Sequence, residues 1–423
     1  MSRFLFSLWD GGGNSPPVLS VAAALVRRGH DVRVMADPVL RDEVLAAGAR
    51  HLSWETAPQR SSPDISTEFV RDFEARTPMG ATARLRDRLI IGPAPKFARD
   101  TCSELRREPA DAVVSEALLM GSQVAAEAAG LPSISLVPNI YPGEVPGVPP
   151  FGMGLRARDD LIGRLRDRIV AGMGAQLWNK RLGELNTLRG FYDLAPVPSV
   201  FGMLERPDLV LVLTTAEFEL GGGRRVPANV RYCGPRLDDP GWVHEWSEPP
   251  GTDPLVLVSL STTTQGQDPM IRRVVEALGR LPVRGLVTTG PSFDGENLRA
   301  PPNVSIVASA PHSAVLPHAA AVVTHAGHGT VIKALAQGVP LLCLPVGRDQ
   351  LDTAERVVAC GAGLRLRSGA GAKAIGRTLR SVFDDPTYRA GAMRMSSAIA
   401  ADGKHDRAVR EIEAIAAVRA SRT

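Results

Sequence analysis

The chain has only four cysteines, Cys102, Cys233, Cys343 and Cys360. They lie far apart and outside any metal-ligand spacing, which argues against a zinc cage or a disulfide scaffold and makes a reducing cytoplasm the expected setting. No apolar run approaches the ~18–20 residues that cross a bilayer, so no membrane span is expected. The segment Met1 to Asp10 has a single basic side chain and runs into Gly11-Gly12-Gly13 without a signal-type cleavage region, so secretion is not expected. There is no clustered basic face either: the net charge of +4 comes from arginines spread along the chain, and nucleic acid is not an expected partner. Aromatic residues are scarce at 5%, yet 44% hydrophobic and 22% charged residues leave ample aliphatic material for a core and no sign of disorder.

A length of 423 residues exceeds one ordinary core and suggests two domains. The start reads as strand (3–8), glycine turn (11–14), helix (15–28) and strand (31–36), a βαβ unit that implies parallel sheet. Pro16 and Pro17 suit the first turn of that helix, where a missing N–H is no loss. The pattern recurs with a strand at 111–115, a helix at 121–129 and strands at 132–137, 208–213 and 229–233. Between the last three lies a Pro- and Gly-rich stretch, 142–154, and an amphipathic helix, 159–178, an insertion that either covers a binding cleft or is a surface excursion. Residues 236–253 lack periodicity and read as a linker. A second α/β array follows, with strands at 255–260, 284–289, 303–307, 321–325, 340–344 and 363–366 and helices between and after them. The expected division is 1–235, 236–253, 254–402 and a terminal helix within 403–423. Two doubly wound α/β domains facing a central cleft would place ligands outside the carboxyl ends of their strands.

The most informative residues are Thr324-His325-Ala326-Gly327-His328-Gly329-Thr330, at a junction of strand and helix. Glycines 327 and 329 allow backbone N–H groups to approach an anion. The helix N-terminus adds positive potential, and His325, His328 and Thr330 add side-chain polar groups. This set reads as a phosphate cradle, against the plainer alternative of a tight turn with incidental histidines. At the end of the next strand, Leu344-Pro345-Val346-Gly347-Arg348-Asp349-Gln350 sets a carboxylate beside a carboxamide. That pair suits a row of sugar hydroxyls, although Asp349-Gln350 alone could simply cap a helix.

With these residues in view, the sequence resembles the actinomycete antibiotic and macrolide glycosyltransferases, members of the large nucleotide-sugar transferase family of GT-B fold. The resemblance is carried by THAGHGTVIKALAQGVPLLCLPVGRDQ, residues 324–350, and by the lead-in from Pro311. It extends more loosely over nearly the whole chain, including RRGHDVRVMA. It implies an inverting, metal-independent hexosyl transfer from a UDP- or TDP-sugar to a small-molecule natural-product acceptor, with no cofactor beyond the nucleotide-sugar substrate. It also implies that His325, Gly329 and Thr330, with Gly327 and His328 in the same turn, hold the donor diphosphate. Asp349 and Gln350 would hold the sugar, and Ser261 and Thr262 would lie in a further phosphate loop. Relatives often carry an aromatic residue near Ser309 to stack on the base, where this chain has Ser309 and Ala310.

One departure concerns the chemistry. Relatives often read G-H-x-x-P in the first glycine turn, and that histidine deprotonates the acceptor; counting back from Arg28-Gly29-His30 places Asn14 there. An amide can orient an acceptor but cannot act as its base. Glu116, at the end of its strand, is the first candidate base, either bonded to Asn14 or reaching the acceptor directly; the plain alternative is a helix cap or an arginine partner. Asp10 is the second candidate. The acceptor is expected against Gly12, Gly13, Asn14 and Glu116. Other functions remain open on sequence alone: a catalytically silent homologue that binds nucleotide or assists a partner transferase, or an epimerase of the same fold. A dehydrogenase is disfavoured because G-x-G-x-x-G spacing is absent. Acceptor, sugar, bond type and oligomeric state are not legible, a homodimer being one option.

Overall fold

The computed structural model describes residues 1–223, 226–241, 243, 245–260, 268–290, 298–403 and 406–420. Seven parallel strands form the first sheet: β1 (Arg3–Ser7), β2 (Asp31–Met35), β3 (Arg50–Leu52), β4 (Ala112–Glu116), β5 (Ser133–Val137), β6 (Leu209–Val212) and β7 (Val230–Tyr232), ordered β3-β2-β1-β4-β5-β6-β7. Six more form the second: β8 (Leu255–Ser259), β9 (Arg284–Thr288), β10 (Val304–Val307), β11 (Ala319–Thr324), β12 (Leu341–Cys343) and β13 (Gly363–Arg365), ordered β10-β9-β8-β11-β12-β13. The strands are short unbroken apolar runs because both faces of each sheet are covered. In β1, Phe4 and Phe6 pack on one side with Val114 and Leu136, while Leu5 packs on the other with Phe97, Val113 and Leu185. Leu255 and Leu257 of β8 separate from Val256 and Val258 in the same way.

Strand order reverses at β1/β4 and again at β8/β11. Crossovers therefore leave in opposite directions there, opening a crevice at the carboxyl ends of the strands. The glycine turn follows β1, Glu116 ends β4, and both donor motifs follow β11 and β12.

The stretch expected to hold one helix after β5 holds two, Leu161–Asn179 and Leu182–Phe191. Helices Pro78–Leu85 and Ala94–Arg107 were not anticipated. The latter buries Asp100, Thr101 and Glu104 beside its apolar residues, which blurs the pattern. The Asp100 carboxylate accepts the N–H groups of Glu55, Thr56 and Ala57 at 3.0, 2.8 and 2.9 Å, tying down the loop after β3. The last helix, Arg407–Ala420, returns to the first domain, where Ala408, Val409 and Ile412 join the core and Glu413 accepts two 2.7 Å bonds from Arg28.

Helices Ala94–Arg107 and Met120–Ala128 touch at Gly121, where an added Cβ would lie 2.2 Å from the Ala94 carbonyl oxygen and 2.8 Å from the Phe97 Cβ. Gly121→Ala is expected to cost about 1–3 kcal/mol in overpacking and to lower the melting temperature by several degrees. An unchanged melting curve would mean that the two helices separate freely.

Candidate active site

The donor side is built on β11. Its last residue, Thr324, accepts the Ala326 N–H at 3.2 Å, and Ala326 adopts a left-handed conformation (φ 68°) that turns the chain into the helix His328–Ala336. Gly327 precedes that helix, and a Cβ there would lie 2.6 Å from His325 Nε2, so only glycine lets the imidazole lie against the turn. Gly329 faces open space, and the N–H groups of the first helical turn have no partner within the helix. His325 is buried, and its Nδ1 has no hydrogen-bond partner among the described residues. Burial pushes this imidazole down to about 4; the Ser259 backbone opposes the shift and the Arg348 charge adds to it. At neutral pH the ring is uncharged.

The neighbouring histidine behaves differently. His328 turns to the first domain, where Nε2 lies 3.1 Å from Thr214 Oγ1 and the ring packs against Phe218. Expected among the donor-binding residues, it directs its ring at Thr214 in the domain seam. Ser261 and Thr262 lie outside the described residues.

After β12, the Gln350 side-chain Oε1 accepts the N–H groups of Val346 (2.9 Å) and Gly347 (3.1 Å) and so shapes its own loop. Asp349 accepts a 3.1 Å bond from Asn139 Nδ2, a residue beyond the end of β5, and burial raises its pKa. The carboxylate thus lies where the two domains meet. Arg348 bonds Asp72 through Nε (2.7 Å) and Nη2 (2.8 Å). Arg356 grips Glu219 at 2.8 and 2.6 Å in a fully buried pair. Asp352 accepts Gly152 N–H (2.8 Å) and Gly154 N–H (3.2 Å), so the Pro- and Gly-rich insertion is anchored on the second domain.

On the acceptor side, Gly12 takes a φ of 75°, which favours glycine, and Gly13 is exposed. Asn14 caps the helix Ser15–Arg27 by position, but its side chain makes no capping bond. Of the two alternatives for Glu116, the bond to Asn14 does not form. Glu116 instead accepts from the indole Nε1 of Trp9 (3.0 Å) and from Leu118 N–H (3.2 Å), both on Oε2. Glu116 is 1% exposed, and burial pushes its carboxyl up to about 8, against the effect of those two donors. Trp9 also underlies the glycine turn: a Cβ on Gly11 would lie 2.9 Å from Trp9 Cζ2 and 3.2 Å from Asn14 Nδ2. Asp10 is held by Arg60 at 2.7 Å and by Gly12 N–H at 3.1 Å, so both its oxygens are occupied. Beside it, burial pushes Asp37 up to about 7, against the bond it accepts from the Asp10 N–H. Among the described residues no three His, Cys, Asp or Glu side chains converge as a metal site, and no helix is long and apolar enough to cross a membrane.

The fold matches that of a calicheamicin glycosyltransferase over 98% of both chains, with a TM-score of 0.78 and 24% identity. Residues 272–415 match the family described as erythromycin biosynthesis protein CIII-like, C-terminal domain. The chain has the two-domain fold of the GT-B glycosyltransferases. Relatives of this GT-B chain include the 4'-demethylrebeccamycin synthase of Lentzea aerocolonigenes, 29% identical over 95% of this chain and 96% of that one. The oleandomycin glycosyltransferase of Streptomyces antibioticus is 27% identical over 95% and 88%.

In this GT-B chain His325, Gly329 and Thr330 follow one strand end, Asp349 lies at the domain seam, Glu116 bonds Trp9, and Trp9 and Asn14 both border Gly11. Trp9, Arg60, Asp37 and Asn139 were missed in the sequence. Their only signal was position, each lying in or after a strand end that faces the cleft.

Proposed function

We propose that this chain transfers a sugar, with inversion, from a UDP- or TDP-sugar to a small-molecule natural-product acceptor. The observation that carries the proposal is the open helix N-terminus after β11, with His325 lying against its glycine turn. In this mechanism the diphosphate lies on the first turn of the helix His328–Ala336, with His325 and Thr330 donating to it. Asp349 accepts from sugar hydroxyls, with Gln350 shaping the loop beside it. The acceptor lies over the glycine turn, oriented by the Asn14 amide. As the acceptor oxygen attacks the anomeric carbon, the bond from that carbon to the phosphate oxygen breaks, the diphosphate leaves, and Glu116 takes the acceptor proton. No metal takes part in this scheme. The four free cysteines suit a reducing cytoplasm.

Incubating the protein with UDP- and TDP-sugars and a panel of hydroxyl, phenol and indole acceptors should give products of sugar-plus-acceptor mass. Asn14 supports one other reading, a silent homologue. Saturable diphosphate binding with neither transfer nor donor hydrolysis across the panel would favour it.

A further inference from the structure

Arg348 is not a glycine, yet it has a φ of 52°. A side chain in the left-handed region carries strain, which persists only where the surroundings enforce it. What enforces it here is the other domain. The Arg348 guanidinium meets Asp72 with two bonds of 2.7 and 2.8 Å, and the side chains of the pair are 21% and 7% exposed. Burial opposes the Asp72 charge, but the Arg348 bond, the Arg348 charge and backbone N–H groups together hold the carboxyl below its usual range. The Glu68 charge acts on Arg348 as well, and Glu68 lies 4.0 Å from Arg60, which is bonded to Asp10 at 2.7 Å. A chain of alternating charges thus runs from the glycine turn after β1 to the loop after β12. The next residue along that loop, Asp349, reaches Asn139 of the same acceptor domain.

We propose that Arg348 is a positioning residue: by latching onto Asp72 it sets the loop that presents Asp349 to the donor sugar, so that sugar recognition depends on closure of the acceptor domain. This rests on the donor-site reading above. A latch acts on the sugar and leaves the diphosphate cradle at β11 alone, whereas a merely structural ion pair would affect stability and every ligand together.

Arg348→Gly separates the two, because glycine relieves the left-handed strain while removing the latch. The variant is expected to bind UDP or TDP within about twofold of wild type, and to melt somewhat lower because the buried Asp72 loses its partner. Its kcat/KM for sugar transfer should fall ~10-fold or more, chiefly through KM for the nucleotide sugar. Asp72→Asn should do the same, and the double variant should lose little more than either single one. Wild-type kcat/KM in Arg348→Gly, or a loss of diphosphate binding in step with activity, would overturn the latch and leave the donor site standing. If the wild-type protein binds neither UDP nor TDP, the donor-site reading falls first and the latch with it.

Discussion

Glu116→Gln is expected to lower sugar transfer by ~10²-fold or more while leaving nucleotide binding intact. Glutamine matches glutamate in shape, and its carbonyl oxygen can still accept from Trp9 Nε1 and Leu118 N–H, now at 3.0 and 3.2 Å. What disappears is the ability to take a proton. The wild-type pH profile has a definite sign. A carboxyl raised by burial to about 8 is mostly protonated at neutral pH, and only the ionised form can act as base. Activity should therefore climb with pH, by roughly tenfold per unit, and level off above about 8. In Glu116→Gln the residual rate should lose that rise. An unchanged rate and profile would show that the acceptor needs no base here, as for an acceptor that is already acidic. A lowered rate that kept the rise would move the base elsewhere, and Asp37, a buried carboxyl pushed up to about 7 beside the glycine turn, would be tested next.

His325→Ala should have an effect as large on the other substrate. Removing one preorganised donor from a charge that develops during reaction costs ~10²–10³-fold in rate, or about 3–4 kcal/mol. The folded state should tolerate the change well, since the substitution also removes a buried nitrogen without a partner among the described residues. Loss of transfer and of diphosphate affinity with a nearly unchanged melting temperature is the expected combination, read by calorimetry and thermal unfolding. With the imidazole pushed down to about 4, donor affinity should show no His325 titration between pH 6 and 9. If His325→Ala transferred sugar at the wild-type rate, the cradle would have been assigned to the wrong residue.

Much of the scaffold was legible because it rests on local chemistry. The apolar runs of β1, β4, β8 and β11 identify themselves as doubly covered strands, and the glycines at 327 and 329 mark a strand-to-helix turn that needs close backbone approach. Residues whose roles are set by distant partners were not legible. His328 looks like part of the cradle until Thr214, 114 positions away, draws it to the seam. Arg348 reads as an incidental charge beside Asp349 until Asp72, 276 positions away, fixes it. Glu116 was identifiable as a carboxylate at a strand end, but its partner is Trp9, 107 residues earlier, and not the amide of Asn14. Asp10 looked available as a base only because nothing in the sequence places Arg60 upon it.

The central claim is that the strand end at His325 and the helix beginning at His328 hold the diphosphate of a nucleotide sugar. Calorimetric titration of the wild-type protein and of His325→Ala with UDP and with TDP tests it most directly. One of the two nucleotides is expected to bind the wild type with one-site stoichiometry and to bind His325→Ala ~10²-fold more weakly or not at all. Binding of equal strength to both proteins, or no binding of either nucleotide to the wild type, would contradict it.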